Sequence, residues 1–105
     1  MKKEYKMAYV PVLIEEKRIQ TIHLKDGYKV NEFMYLWYDP ENLLWNISHR
    51  SGYCVGRRCS FKDALVYAQK AVTLNFNWDV CSAMDPDFLA QDVKGIWDEL
   101  KPMAI

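Results

Sequence analysis

Apolar and polar residues alternate at period two through the first half of the chain, and apolar residues recur at helical spacing through the second. Ala8 to Glu15 and Arg18 to Leu24 are rich in Val, Ile and Tyr and are separated by the polar Glu16-Lys17, which predicts a β-hairpin. Lys25-Asp26-Gly27 reads as the next turn, because Asp-Gly accepts positive φ cheaply. Val30 to Tyr38 and Leu43 to His49 are then joined by Asp39-Pro40-Glu41-Asn42, where proline presets φ for a type I turn and asparagine tolerates the left-handed closing position. Arg50-Ser51-Gly52, with Gly52 left-handed, leads into Tyr53 to Gly56. The pattern predicts an antiparallel β-meander of four to five strands.

Beyond residue 59 the period changes. Ser60 followed by Asp63 resembles a capping box, and Phe61, Ala64, Leu65, Ala68 and Val72 recur at helical spacing. A second helix is expected to start with Asp85 as N-cap, Pro86 in the first helical position and Asp87 beside the positive end of the dipole. Its apolar stripe is Leu89, Val93, Ile96, Trp97 and Leu100, and Pro102 ends it. Between the helices Phe76, Trp78 and Val80 alternate with Asn75, Asn77 and Asp79, the period of a short extra strand. The expected fold class is therefore α+β: the meander, followed by two C-terminal helices packed on one sheet face, in a single domain spanning residues 1–105.

Loop length decides which side chains share a face. With three-residue loops, Asp39 pairs with Leu43 and His49 with Tyr53. Tyr35, Trp37, Leu43, Trp45, Ile47 and Val55 then form the core under the helices. Met34, Leu36, Tyr38 and Leu44 lie on the opposite face beside Asn46, Ser48 and Cys54. A two- or four-residue loop after Asp39 puts Phe33, Tyr35 and Trp37 on that second face instead. In either register large apolar residues face away from the main core. Either the N-terminal segment or a helix folds over them, or they form a self-association or partner surface.

At 105 residues and with half of them hydrophobic, the chain is expected to bury roughly two-thirds of its unfolded surface without staples. Fourteen basic and 14 acidic side chains cancel, which argues against a nonspecific nucleic-acid coater. The cancellation hides an asymmetry. Residues 1–70 hold 12 Lys+Arg against 8 Asp+Glu, and residues 71–105 hold 2 against 6. Neither a secretory leader nor a membrane span is expected, because the apolar run from Met7 contains Pro11 and stops at Glu15-Glu16. Three cysteines, Cys54, Cys59 and Cys81, make a poor disulfide framework, so the cytoplasm is the expected compartment.

Candidate chemistry is sparse. His49, Cys54 and Cys59 lack the close pairing of zinc ligands, and no metal or other cofactor is expected. Cys59 follows Arg57-Arg58 at a helix entrance, a setting that favours a thiolate, but no general base is placed by the sequence. Phosphate-loop, dinucleotide, zincin and nucleophile-elbow motifs are absent. Asp85, Asp87 and Asp92 are accounted for by helix capping. Arg50, Arg57, Arg58 and Lys62, interleaved with Tyr53, Phe61 and Tyr67, could hold phosphates and stack bases, although Arg50 and Arg57 fall at opposite ends of a strand.

With no nucleophile, base and orienter set and no catalytic residue assigned, the reading is a non-enzymatic interaction module. It would bind another macromolecule, foremost a protein, in an accessory or inhibitor-like role, possible also as a homodimer. Its expected anchors are Met34, Leu36, Tyr38, Leu44 and Trp78. Nucleic-acid binding through Arg50, Arg57, Arg58 and Lys62 is the alternative.

Overall fold

β1 (Met7–Glu16), β2 (Ile19–Lys29), β3 (Met34–Asp39), β4 (Leu44–His49) and β5 (Cys54–Arg58) pair antiparallel in chain order, in a computed structural model that describes residues 6–80 and 86–101. α1 (Phe61–Ala71), α2 (Pro86–Leu89) and α3 (Val93–Leu100) follow, giving the expected α+β arrangement. Among the described residues no helix is long and apolar enough to cross a membrane.

The β3–β4 loop has four residues, because Asp39 pairs with Leu44 rather than Leu43. Leu43 takes the left-handed position at φ 56°, and the Asp39 carboxylate accepts from the Glu41 amide (3.0 Å) and the Asn42 side chain (2.6 Å). That single extra loop residue rotates β3 by half a pleat. Met34, Leu36 and Tyr38 consequently share a face with Trp45, Ile47 and His49, under the helices, while Tyr35 and Trp37 point the other way. The three-residue register is thus corrected to the four-residue one.

α1 forms where its cap predicts, with Ser60 Oγ accepting from the Asp63 amide at 3.1 Å. Its buried side, Ala64, Tyr67, Ala68 and Ala71, is mostly small, which lets the helix lie close to Met34, Leu36, Ile47 and Val55; Ile96 and Leu100 of α3 complete the cluster. Val55 is the extra residue of a bulge, since Ile47 pairs with Gly56 and Ser48 with Cys54. The expected long second helix is divided. α2 ends at Leu89, and α3 restarts with its own cap, Asp92, whose carboxylate accepts from the Gly95 amide at 2.7 Å. Asp85 and Pro102 lie outside the described residues. The connector is no strand: Trp78–Val80 is one turn of 3-10 helix that turns the indole inward, where its N–H donates to the Ala71 carbonyl at 3.0 Å.

The N-terminal hairpin covers the second face. Asn46 and Ser48 point away from the helices yet are only 3% and 1% exposed, and Val10 is fully buried. Gly27 makes this possible. A Cβ there would lie 2.1 Å from the Leu36 carbonyl oxygen and 2.6 Å from Val10 Cγ2, so the expected Asp-Gly turn is instead a close crossing of β2 and β3. Beyond Tyr28 and Lys29 those strands no longer pair, and the hairpin swings across the sheet until the Leu13 amide donates to the Gly52 carbonyl at 3.0 Å.

Candidate interaction surface

The four-residue loop determines where the expected anchors go. Met34 and Leu36 are fully buried and Trp78 is 3% exposed, so these three belong to the core and present no surface. Tyr38 shares their face at its edge, 41% exposed, with its ring 5.3 Å from that of Trp45. Leu44 is half-buried and on the opposite side of the sheet, opposite Asp39. The fold therefore does not bring the five together as a patch.

The basic residues are likewise dispersed. Arg50 is bound internally: its guanidinium lies 2.8 Å from Asp79 and 3.6 Å from Glu32, and stacks 4.7 Å from the Phe33 ring centroid. Arg57 and Arg58 leave opposite faces of β5. Arg57 Nε donates to Asn46 Oδ1 at 3.0 Å on the hairpin side; Arg58 stacks on Tyr67 at 4.4 Å and donates to the Leu100 carbonyl at 3.3 Å on the helix side. Lys62 is exposed in the first turn of α1. The Arg50–Asp79 pair also joins the basic and acidic halves of the chain, so part of the charge asymmetry is consumed within the fold.

His49 is 1% exposed, and both ring nitrogens are engaged. Nδ1 accepts from the Ser51 amide at 3.0 Å, with Ser51 Oγ at 2.9 Å, which leaves the proton on Nε2 to donate to the Trp78 carbonyl at 2.6 Å. The ring is stacked between Phe33 and Trp78, each at 6.1 Å. Burial holds its pKa below the ordinary 6.5. This imidazole is a neutral structural pin and offers no free nitrogen to a nucleophile. Cys54 makes a weak thiol contact with the Gly56 carbonyl at 3.8 Å, and burial pushes its pKa up, away from thiolate chemistry. Cys59 is exposed at the β5–α1 junction, and Cys81 lies outside the described residues. Among the described residues no group of three or more His, Cys, Asp or Glu side chains could hold a metal ion.

A different surface stands out. Met7, Tyr9, Ile22 and Leu24, on one face of the hairpin, are 70%, 71%, 51% and 64% exposed, and Ile19, near the turn on the other face, is 64% exposed. The register puts Tyr9 opposite Asp26, Pro11 opposite Leu24 and Leu13 opposite Ile22, so Tyr9, Leu24 and Ile22 belong to the hairpin parity that alternates with Val10, Val12 and Ile14. A depression of about 300 Å³ is lined by Met7, Ala8, Tyr9 and Asp26. The signal was in the sequence: residues 7–14 are apolar at both parities, so a strand that covers a sheet with one face must expose apolar side chains on the other. Comparison with protein-family models, curated proteins and solved structures returns no match.

Proposed function

We propose that the chain is a non-enzymatic interaction module that binds another protein through the outward face of the β1–β2 hairpin. The observation that carries this reading is the concentration of exposed large apolar side chains on one hairpin, with Tyr9 and Leu24 at its centre. Tyrosine supplies a large contact area at low entropic cost, and the depression beside it accepts a partner side chain. The polar groups at the margin, Gln20 and Asp26, fit the rim of such an interface.

The test is affinity capture from the native host with the wild-type chain, a Tyr9→Ser/Leu24→Ser variant and an Arg57→Glu/Arg58→Glu variant, each checked by circular dichroism. A protein retained by the wild type and the arginine variant but lost from the hairpin variant is the expected result. Nucleic acid retained by the wild type and lost with the two arginines would replace the reading. Equal retention by the hairpin variant would overturn it.

A further inference from the structure

The two outer edges of the hairpin differ, and the difference follows from its turn. Lys17 and Arg18 form a two-residue loop with both φ positive, 49° and 68°, so Glu16 and Ile19 close it as a hydrogen-bonded pair. Bonding to β1 then falls on Ile19, Thr21, His23 and Lys25. Gln20, Ile22, Leu24 and Asp26 direct their N–H and C=O groups away from β1. Two observed bonds fix this phase: Lys29 N–H donates to the Lys6 carbonyl at 3.3 Å, and the amide of Leu13, opposite Ile22, is free of β2 and donates to Gly52.

The outer edge of β1 is interrupted at its middle. Pro11 has no N–H to offer at an outward position, and the amide of Leu13 is taken by Gly52. β2 has no such protection. Its pairing with β3 stops at Tyr28, and among the described residues nothing pairs with the outward groups of residues 20–26. No proline interrupts that stretch, and its one lysine, Lys25, lays Nζ 5.7 Å from the Trp37 ring centroid instead of guarding the edge. Exposed Ile22 and Leu24 flank the open groups. An unguarded strand edge bordered by apolar side chains is a template for another strand.

The sequence of β2 also selects the occupant. A second copy can pair antiparallel about a two-fold axis only in registers that set outward residues opposite outward residues, which centres the axis on one residue of β2. Centred on Thr21, Lys17 meets Lys25. Centred on His23, the two histidines face each other and Lys17 meets Lys29. Centred on Leu24, the pairing demands Tyr28, which β3 already holds. Centred on Ile22, Gln20 lies opposite Leu24, and Arg18 of each turn comes beside Asp26 of the other copy at both ends. This is the register with opposite charges at its ends.

From this self-complementarity we infer that the chain forms a two-fold dimer by antiparallel pairing of β2 with β2 of a second copy, centred on Ile22. The inference rests on the hairpin being the chain's interaction element, and it uses the strand edge, leaving the face around Tyr9 free for a different protein. The residues about the axis exchange both backbone bonds, which brings their Cα atoms about 5.5 Å apart, within disulfide range.

Analytical ultracentrifugation of the wild type over a wide concentration range should show the mass rising from one chain toward two, and Ile22→Lys should keep it at one with an unchanged circular dichroism spectrum. In a background of Cys54→Ser, Cys59→Ser and Cys81→Ser, diamide should convert Ile22→Cys to a covalent dimer and leave the similarly exposed Leu24→Cys largely monomeric. A single-chain mass at every concentration overturns the inference, as does a dimer that Ile22→Lys leaves intact or equal crosslinking at positions 22 and 24. A monomer that still retains a protein through Tyr9 and Leu24 overturns the self-pairing and leaves the partner-binding reading standing. A dimer with no dependence of capture on Tyr9 and Leu24 does the reverse.

Discussion

His49 and Trp78, 29 positions apart, are joined by a buried hydrogen bond of 2.6 Å from the imidazole Nε2–H to the indole residue's carbonyl, with the two rings stacked at 6.1 Å. The bond holds the connector between α1 and α2 against the end of β4. Because Trp78 in turn donates to the Ala71 carbonyl, one histidine links the sheet, the connector and the C-terminus of α1.

This arrangement makes stability depend on pH in a defined direction. Burial lowers the folded-state pKa of His49 below 6.5, so the unfolded chain takes up the proton first as pH falls. The stabilisation is complete above pH 6.5 and declines below it until the folded-state value is reached. Urea midpoints measured from pH 8 to pH 5 should fall over the acidic part of that range. His49→Gln, whose amide can still donate to Trp78, should flatten the decline attributable to this group. An unchanged slope in the variant would show that His49 is not its source.

Tyr67 presents a second buried polar contact. Its hydroxyl donates to the Val55 carbonyl at 2.7 Å, at the bulge in β5, and desolvation pushes its pKa up to about 12. Tyr67→Phe keeps the ring under Arg58 but leaves the Val55 carbonyl without that donor. The expected loss is about 1–2 kcal/mol, read from denaturant midpoints at constant m-value. Ultraviolet titration should show a phenol ionising near pH 12 in the wild type that is missing in the variant.

The sequence discloses some of this fold and conceals the rest for physical reasons. Ser60 and Asp63 announce α1 because a cap is a local device, complete within four residues. The choice between Leu36 and Trp37 as core is not local. It turns on whether the loop after Asp39 has three or four residues, and so on whether Asn42 or Leu43 goes left-handed. Leucine is the poorer candidate for that conformation, which is why the wrong register looks better on paper. Asp26-Gly27 misleads similarly, since a glycine needed for a turn and one needed for a close strand crossing leave the same trace. The four-residue loop thus takes the expected anchors Met34 and Leu36 into the core, and which parity of the apolar β1 stays outside is set by the long-range crossing of the hairpin over the sheet.

Gly27 is correspondingly intolerant. An added methyl meets the backbone oxygen of Leu36 at 2.1 Å, which cannot move aside as a side chain end would. Gly27→Ala should cost about 3 kcal/mol and loosen the hairpin from the sheet. Amide exchange should accelerate first at Leu13, whose bond to Gly52 depends on the crossing, and at Val10. Exchange accelerated uniformly over the whole chain would count against a hinge at this position.

Leu43 stores strain of the opposite kind, open to relief. It holds φ 56° while 66% exposed, so its side chain contributes little packing to set against a left-handed backbone. Leu43→Gly removes the Cβ conflict and is expected to add about 1 kcal/mol of stability, raising the melting temperature by about 4–8 °C for a domain of this size. Leu43→Asn should give part of that gain, because asparagine tolerates the same region. Both variants must preserve the pairing of Asp39 with Leu44, since a loop shortened by one residue would turn Met34 and Leu36 out of the core. A melting temperature raised by Leu43→Gly, together with unchanged near-ultraviolet circular dichroism, therefore checks the strain and the register in one measurement, and a lowered one would contradict the left-handed assignment.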